Sequence, residues 1–551
     1  MSHADPLRPA LIAALRAGYS SAHLRRDAIA GLTVAIVALP LSMAIAIAAG
    51  GTPAMGLYTA IVGGFFISLL GGSRFQIGGP AGAFIVLVAA TVAEHGLSGM
   101  ILATMLAGAI MVALGLLRLG SYIRFIPYPV TVGFTAGIAV IIFASQIKDL
   151  LGLTLTQPEP GALLEKLPVI WQSLPSANPV TIALAAGTII AIVAIKRFAP
   201  RVPNLLVAVA GATLASAVFN LDTPAIQSAF GAVPAGLPMP SLPPISWPLI
   251  VSVFPNAIAF SLLGSIESLL SAVVADSMSG QRHDSNMELI AQGVANMTVG
   301  LVGGMMATGT IARTATNVRA NAHSPVAGML HAGFILGFMM IAAPLVGLIP
   351  LASLAGLLAT VAWNMIERPA IATLLRTSRE DAAVLIVTLL LTIFRDLTEA
   401  IVVGFALGSV LFIHRMSKAV GVHPVPAQDP VDIGRASDIL VYRIQGAFFF
   451  GAAASVGGVL DSINDTHRAM IIDLSEAALV DSTAIHTIDT LLSNARGRGV
   501  HVILTGMPPT LRQQFDAHGI RPPAVHIDAS IAAGVARAQT LLQDLPEGAA
   551  R

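Results

Sequence analysis

Gln76-Ile77-Gly78-Gly79-Pro80-Ala81-Gly82-Ala83-Phe84 and Ala307-Thr308-Gly309-Thr310-Ile311-Ala312-Arg313-Thr314 interrupt two otherwise apolar stretches at matching places in the two halves of one long hydrophobic region. Each break is followed by a dozen or so helix-compatible residues, about 18 Å at 1.5 Å per residue. That is too short for a hydrocarbon core of about 30 Å. Paired half-spans of this kind mark the substrate site of a membrane transporter. They outweigh any catalytic motif, because the chain offers no paired-carboxylate or nucleophile constellation and its histidines are scattered.

Composition agrees. The 551 residues are 55% hydrophobic and 11% charged, against about 25% charged in soluble domains. Mean hydropathy is +0.81. The charge deficit is confined to residues 28–415, and residues 416–551 have ordinary globular composition. A net charge of +1 gives no reason to expect a nucleic-acid partner, and the absence of cysteine excludes disulfides and zinc thiolate sites. No cofactor motif or metal-ligating cluster is evident. Residues 1–27, with Arg8, Arg16, Arg25 and Arg26, do not read as a signal peptide.

The expected fold is a polytopic α-helical membrane protein of fourteen spans, centred near residues 38, 63, 87, 108, 135, 187, 211, 260, 296, 316, 335, 358, 388 and 407. The short ones, near 87 and 316, are each third in a set of seven, so the pattern is a 7+7 inverted repeat. Charge supports the count. Seventeen Lys and Arg up to Lys418 fall on the side of the N-terminus, and three (Lys148, Lys166, Arg395) on the other. By the positive-inside rule both termini are cytoplasmic, and the expected location is the cell inner (plasma) membrane. The expected domains are 1–27, an N-terminal segment; 28–416, the transport domain; 417–435, a linker; 436–545, a small α/β domain; and 546–551, a tail.

Two charges within spans default to function. Arg313 lies in the first turn of the second half-helix, and Glu267 lies in Phe260-Ser261-Leu262-Leu263-Gly264-Ser265-Ile266-Glu267-Ser268-Leu269-Leu270-Ser271. Two helix N-termini meeting at midplane make an anion site from unpaired N–H groups. Pro80 is expected in the first turn of the first half-helix, and Gly78, Gly79 and Gly309 permit close backbone approach. Glu267, protonated, would couple proton to anion; alternatively Glu267 and Ser271, one turn apart, would bind sodium. The proton is favoured, because only two oxygen ligands are evident.

In the C-terminal part, 439–444, 469–473 and 500–504 read as strands, and 453–465, 483–496 and 508–518 as helices. Asp481-Ser482-Thr483-Ala484 reads as an N-cap, or as a regulatory hydroxyl site at Ser482 or Thr483.

These residues resemble the sulfate permease (SulP) family of anion transporters, which includes prestin and pendrin. The likeness rests on Ala38-Leu39-Pro40-Leu41-Ser42-Met43-Ala44, the Gly79-Pro80 break, Gly264-Ser265-Ile266-Glu267-Ser268, and the stretch from Asn286 to Asn296 with Glu288, Gln292 and Gly293. The C-terminal part is similar to a STAS domain. The resemblance implies a core and a gate domain, a homodimer and an elevator-type movement. It places substrate among Ser42, Met43, Gly79, Pro80, Ala81, Gly309, Thr310, Ile311, Ala312 and Arg313. It is nearest to bacterial proton-coupled C4-dicarboxylate members, so the expected function is secondary active symport of succinate or fumarate. Departures from other members are Leu41 where sulfate and halide members have Gln, Ala312 where prestin-like members have Ser, and Glu267 and Ser271 where sodium–bicarbonate members have Asp and Thr. Ala484 replaces the STAS glycine. The alternatives are a sulfate or bicarbonate transporter of the same architecture, or a passive anion channel; an enzyme is not expected.

Overall fold

The computed structural model describes residues 7–123, 127–157, 160, 163–200, 202–395, 397–419, 421–424, 438–449, 468–523 and 525–543. The chain divides into two compact units, 1–405 and 406–551.

In the first unit a short helix α1 (Ala10–Arg16) precedes the long α2 (Ser21–Ala48). Next come α3 (Pro53–Tyr58), a π-helical turn, and α4 (Gly64–Leu70). The first break then forms strand β1 (Gly78–Pro80), followed by a 3-10 turn over Gly82–Phe84 and α5 (Ile85–Leu116). Gly96, at φ +68°, interrupts α5. The first half-helix is therefore Ile85 to His95, about 16 Å. After it come α6 (Gly120–Ile123), α7 (Tyr128–Leu151), α8 (Leu163–Ser173), α9 (Pro179–Phe198), α10 (Asn204–Val218) and α11 (Ile226–Phe230). The second half opens with α12 (Trp247–Ser279) and α13 (Ser285–Leu301). Strand β2 (Ala307–Gly309) and the nine-residue α14 (Ile311–Arg319) follow. The unit continues with α15 (Val326–Gly347), α16 (Leu351–Met365), α17 (Arg368–Thr377) and α18 (Arg379–Phe394), and α19 (Leu397–Ala419) runs past its boundary.

Each of the fourteen expected centres falls inside a helix. Among the described residues, eight helical stretches are long and apolar enough to cross a membrane unaided. The others are shorter, as the half-helices must be. Local chemistry sets several starts: Asp284 Oδ1 accepts from Asn286 N and Met287 N at 2.9 and 3.0 Å and begins α13, and Pro179 opens α9 at a position that has no use for an N–H.

Helix packing sorts into two groups. α13 lies on α4 and α5, α12 on α5, and α15 on α2 and α4; separately, α7 lies on α16 and α18, and α9 on α10 and α16. The first group contains both breaks. Within it α5 and α13 cross closely. A Cβ at Gly108 would sit 2.6 Å from Gly293 O, and one at Gly293 would collide with Gly108 O. Small residues that let backbones touch are what drives association where lipid supplies no hydrophobic force between helices.

The second unit is an α/β domain. β3 (Gly421–Pro424) pairs antiparallel with β4 (Ile439–Phe448). β4, β5 (Ala469–Asp473), β7 (His501–Thr505) and β8 (His526–Asp528) follow in parallel register, and β6 (Ala477–Val480) pairs with the far end of β4. α20 (Ser482–Gly497) and α21 (Pro509–Ala517) contribute Ile485, Ile488, Leu492 and Phe515 to one core, and α22 (Ile531–Gln543) closes another with Val535 and Ala538. The helix expected over 453–465 lies outside the described residues, as does most of the linker expected over 417–435.

Candidate functional site

The two breaks meet. β1 and β2 pair antiparallel with Gly78 opposite Gly309, Gly79 opposite Thr308 and Pro80 opposite Ala307. Antiparallel pairing follows from the inverted arrangement, because each segment runs toward its own half-helix in the opposite direction. Thr310 N donates to Ile77 O at 3.0 Å and extends the ribbon by one rung.

This geometry corrects the expected place of Pro80. It is the last residue of β1, not the first turn of a helix. Ala81 is extended at φ −116°, and the α-helix begins only at Ile85. Pro80 has no N–H, so it suits the end of a ladder, and its carbonyl is free to accept from a side chain. That side chain is Arg313. Its Nη2 donates to Pro80 O at 3.3 Å and to Ser42 Oγ at 3.1 Å. One guanidinium nitrogen thus ties the first span, the first break and the second half-helix together.

The rest of the guanidinium is not satisfied. Arg313 is 2% exposed, its Nε and Nη1 have no hydrogen-bond partner, and among the described residues no carboxylate lies within ion-pair distance. Gly79 makes the approach possible, since a Cβ there would collide with Nη1. A Cβ at Gly309 would likewise collide with the Gln76 amide. Gln76 is itself buried with neither amide atom paired. Nothing in the sequence pattern singles it out, because an amide beside a glycine-rich break reads as ordinary loop.

The other anticipated residues divide. Ser42 and Met43 are fully buried on α2, and Ala81 is buried at the entry to the 3-10 turn. Thr310 is partly buried, while Ile311 and Ala312 are exposed at the opening turn of α14. Glu267 is partly buried. Its neighbour Ser268 bonds to Thr308 at 2.6 Å, so this turn of α12 rests on β2. Ser271 donates to Thr314 Oγ1 at 3.0 Å, and Thr314 accepts from Ile77 N at 3.1 Å. Ser271 therefore serves the ribbon through Thr314, and its proton is committed away from Glu267. Ser482 and Thr483 are exposed at the start of α20, capped by Asp481, whose Oδ1 accepts from Ala484 N at 2.8 Å.

The arrangement suits an anion. Its positive charge is buried and unpaired, helix starts flank it, and the approach is lined by small or apolar residues.

Comparisons agree with this architecture. Residues 24–388 match the sulfate permease family and residues 431–533 match the STAS domain. The chain is 37% identical over 505 residues to the Bacillus subtilis protein named "Putative sulfate transporter YvdB", covering 91% of this chain and 95% of that one. It is 30% identical to the bicarbonate transporter BicA of Picosynechococcus sp., covering 90% of each. The fold matches the inward-facing structure of the murine Solute Carrier 26 family member A9 anion transporter with a TM-score of 0.84 at 20% identity, over 97% of this chain and 94% of that one. The chain belongs to the sulfate permease family of anion transporters and carries a STAS domain at its C-terminal end.

Proposed function

We propose that this protein is a secondary active transporter of organic anions, C4-dicarboxylates such as succinate and fumarate, moving each with a proton. The observation that carries the anion assignment is Arg313: a buried guanidinium with no carboxylate partner and two nitrogens without acceptors, at the meeting point of both half-helices. A membrane-buried cation needs a counter-charge, and a carboxylate of the substrate supplies it. Met43, Ala81, Ile311 and Ala312 suit a carbon skeleton better than a small, strongly hydrated oxyanion. The proton is assigned to Glu267, which has no ion-pair or hydrogen-bond partner among the described residues.

The helix group containing the ribbon would move as the core of an elevator against the α7–α10 and α16–α18 scaffold. The protein would work as a homodimer in the cell inner membrane with both termini cytoplasmic. A second reading, bicarbonate or sulfate as cargo, is favoured by the names of the relatives at 37% and 30% identity.

The test is uptake of labelled fumarate into proteoliposomes under an inward proton gradient, with sulfate and bicarbonate as competitors. Saturable, proton-driven uptake that R313A abolishes and E267Q uncouples from the gradient is expected. Competition by bicarbonate or sulfate alone would transfer the cargo to the second reading. Proton dependence that survives E267Q would remove Glu267 from coupling.

A further inference from the structure

The stretch from Asn286 to Asn296 marks the family resemblance, yet none of its residues belongs to the anion site. Their contacts show another task. Glu288, Gln292 and Asn296 lie four residues apart on one face of α13, and all three are fully buried. Gln292 Nε2 donates to Glu288 Oε1 at 2.9 Å, and Asn296 Nδ2 donates to Gln292 O at 2.8 Å. Together they make a polar line of about 12 Å along the helix.

Both ends of that line grip the backbone of a break. At one end Glu288 Oε2 accepts from Ser73 N at 3.0 Å, in the chain that leads into β1. At the other, Asn296 Oδ1 accepts from Ala307 N at 2.7 Å and Asn296 Nδ2 donates to Ala307 O at 2.8 Å. A side-chain amide that takes both polar groups of one residue does what a neighbouring strand does. Asn296 is in effect the third strand of a two-stranded ribbon. Its amide is the partner of both the Ala307 N–H and the Ala307 C=O, which would be buried unpaired without it.

We propose that Glu288, Gln292 and Asn296 are positioning residues for the anion site: a spine that sets the height of β2 against β1, and so brings Arg313 to Pro80 and Ser42. This inference rests on the ribbon being the anion site. It assigns the spine no contact with substrate and no charge in coupling. The effect of each residue travels through backbone that it holds, and the strongest lever is Asn296.

The full-length protein in nanodiscs allows two separate readouts. The first is hydrogen–deuterium exchange of peptides spanning residues 303–312, which does not depend on transport. In N296A the Ala307 region should exchange about tenfold faster or more, as expected for losing a buried hydrogen-bonded pair. Peptides from α2 and from the β4–β7 sheet should keep wild-type rates. N296D keeps the acceptor for Ala307 N–H but lacks both donors, so it should fall between N296A and wild type. E288Q should loosen peptides around Ser73 and leave 303–312 less affected. The second readout is uptake of labelled fumarate and, in parallel, labelled sulfate. For whichever anion the wild type carries, KM should rise about tenfold in N296A, with Vmax per folded protein nearly unchanged. If N296A does not fold, N296D carries both readouts.

Unchanged exchange over 303–312 would overturn the proposal. So would faster exchange with an unchanged KM, or activity lost only in proportion to folded protein. Failure of the wild type to move any anion would defeat the functional reading instead, while exchange would still decide whether the spine holds the ribbon.

Discussion

At the scale of single residues, the site depends on what is missing at Gly79. The space a Cβ would fill is occupied by Arg313 Nη1, so G79A should displace the guanidinium from Pro80 O and Ser42 Oγ. Hydrogen bonds to a charged group contribute about 1.5–3 kcal/mol. Anion affinity should therefore fall roughly tenfold or more while the protein still folds, as read by thermal-shift titration; wild-type affinity in G79A would mean that Arg313 is not held through this contact. A second residue-scale feature lies at the start of α2. Asp27 is fully buried and accepts from Tyr19 Oη at 2.8 Å, His323 N at 2.6 Å, Ser324 N at 3.1 Å and Ser324 Oγ at 2.6 Å. Burial, with added effects of the Asp27 bond and charge, pushes the Tyr19 hydroxyl up to about 12. The His323 ring stacks on His23 with centroids 3.7 Å apart. Burial first, then His23, Arg74 and Arg26, hold His323 below its ordinary pKa, against the pull of Asp27. The unfolded or released chain thus takes up a proton before the folded one does. The contact contributes fully above about pH 6.5, the ordinary histidine value, and is lost as pH falls below it. Exchange at residues 7–20, corrected for its intrinsic pH dependence, should increase between pH 7.5 and 5, and H323Q should flatten that dependence. A pH-independent N-terminal segment in the wild type would refute the link.

At the scale of elements, α5 and α13 cross with Gly108 against Gly293, and the ribbon depends on that crossing because α13 carries the Glu288–Asn296 spine. G293L puts a branched side chain where Gly108 O already sits. Overpacking costs about 1–3 kcal/mol, so the melting temperature should drop and the 303–312 region should loosen. A melting temperature equal to wild type would show that this crossing does not hold α13 in place. The helices were legible because apolar length and glycine breaks are local signals, and Arg313 and Glu267 stood out because charge inside apolar sequence is rare. The ribbon itself was not legible. Gly78 and Gly309 are 231 residues apart in the chain, and three-residue strands carry no periodicity. Hence Pro80 reads as a helix start from its own neighbours and becomes a strand end only once Ala307 is opposite it. The tasks of Gln76, Thr314 and Asn296 were silent for the same reason: an amide or hydroxyl acquires meaning only from the backbone group it meets. In the C-terminal domain β6 and β8 were missed because each is only three or four residues long.

At the scale of the whole molecule, each unit has its own core. The hydrophobic clusters of the membrane unit draw on residues from Ala35 to Ile401, and those of the STAS domain on residues from Ile439 to Ala538, with Leu541 and Leu542 packed at the margin. Ser42, the ribbon, Glu267 and Arg313 all lie in the first unit. A chain ending after residue 419 keeps every group argued to hold the anion and loses only the second core. Effects of distant, independent sites add with little coupling, so removal of the STAS domain should leave anion affinity within about threefold of wild type. Yield, oligomeric state or regulation of turnover should change instead. The comparison needs a binding measurement, not uptake alone, because slower turnover and lost binding both reduce uptake. A truncated protein that is folded by thermal melting but binds no anion would show that the STAS domain helps to build the site. That result would move the ribbon from a self-sufficient feature of the membrane unit to one that depends on the rest of the chain.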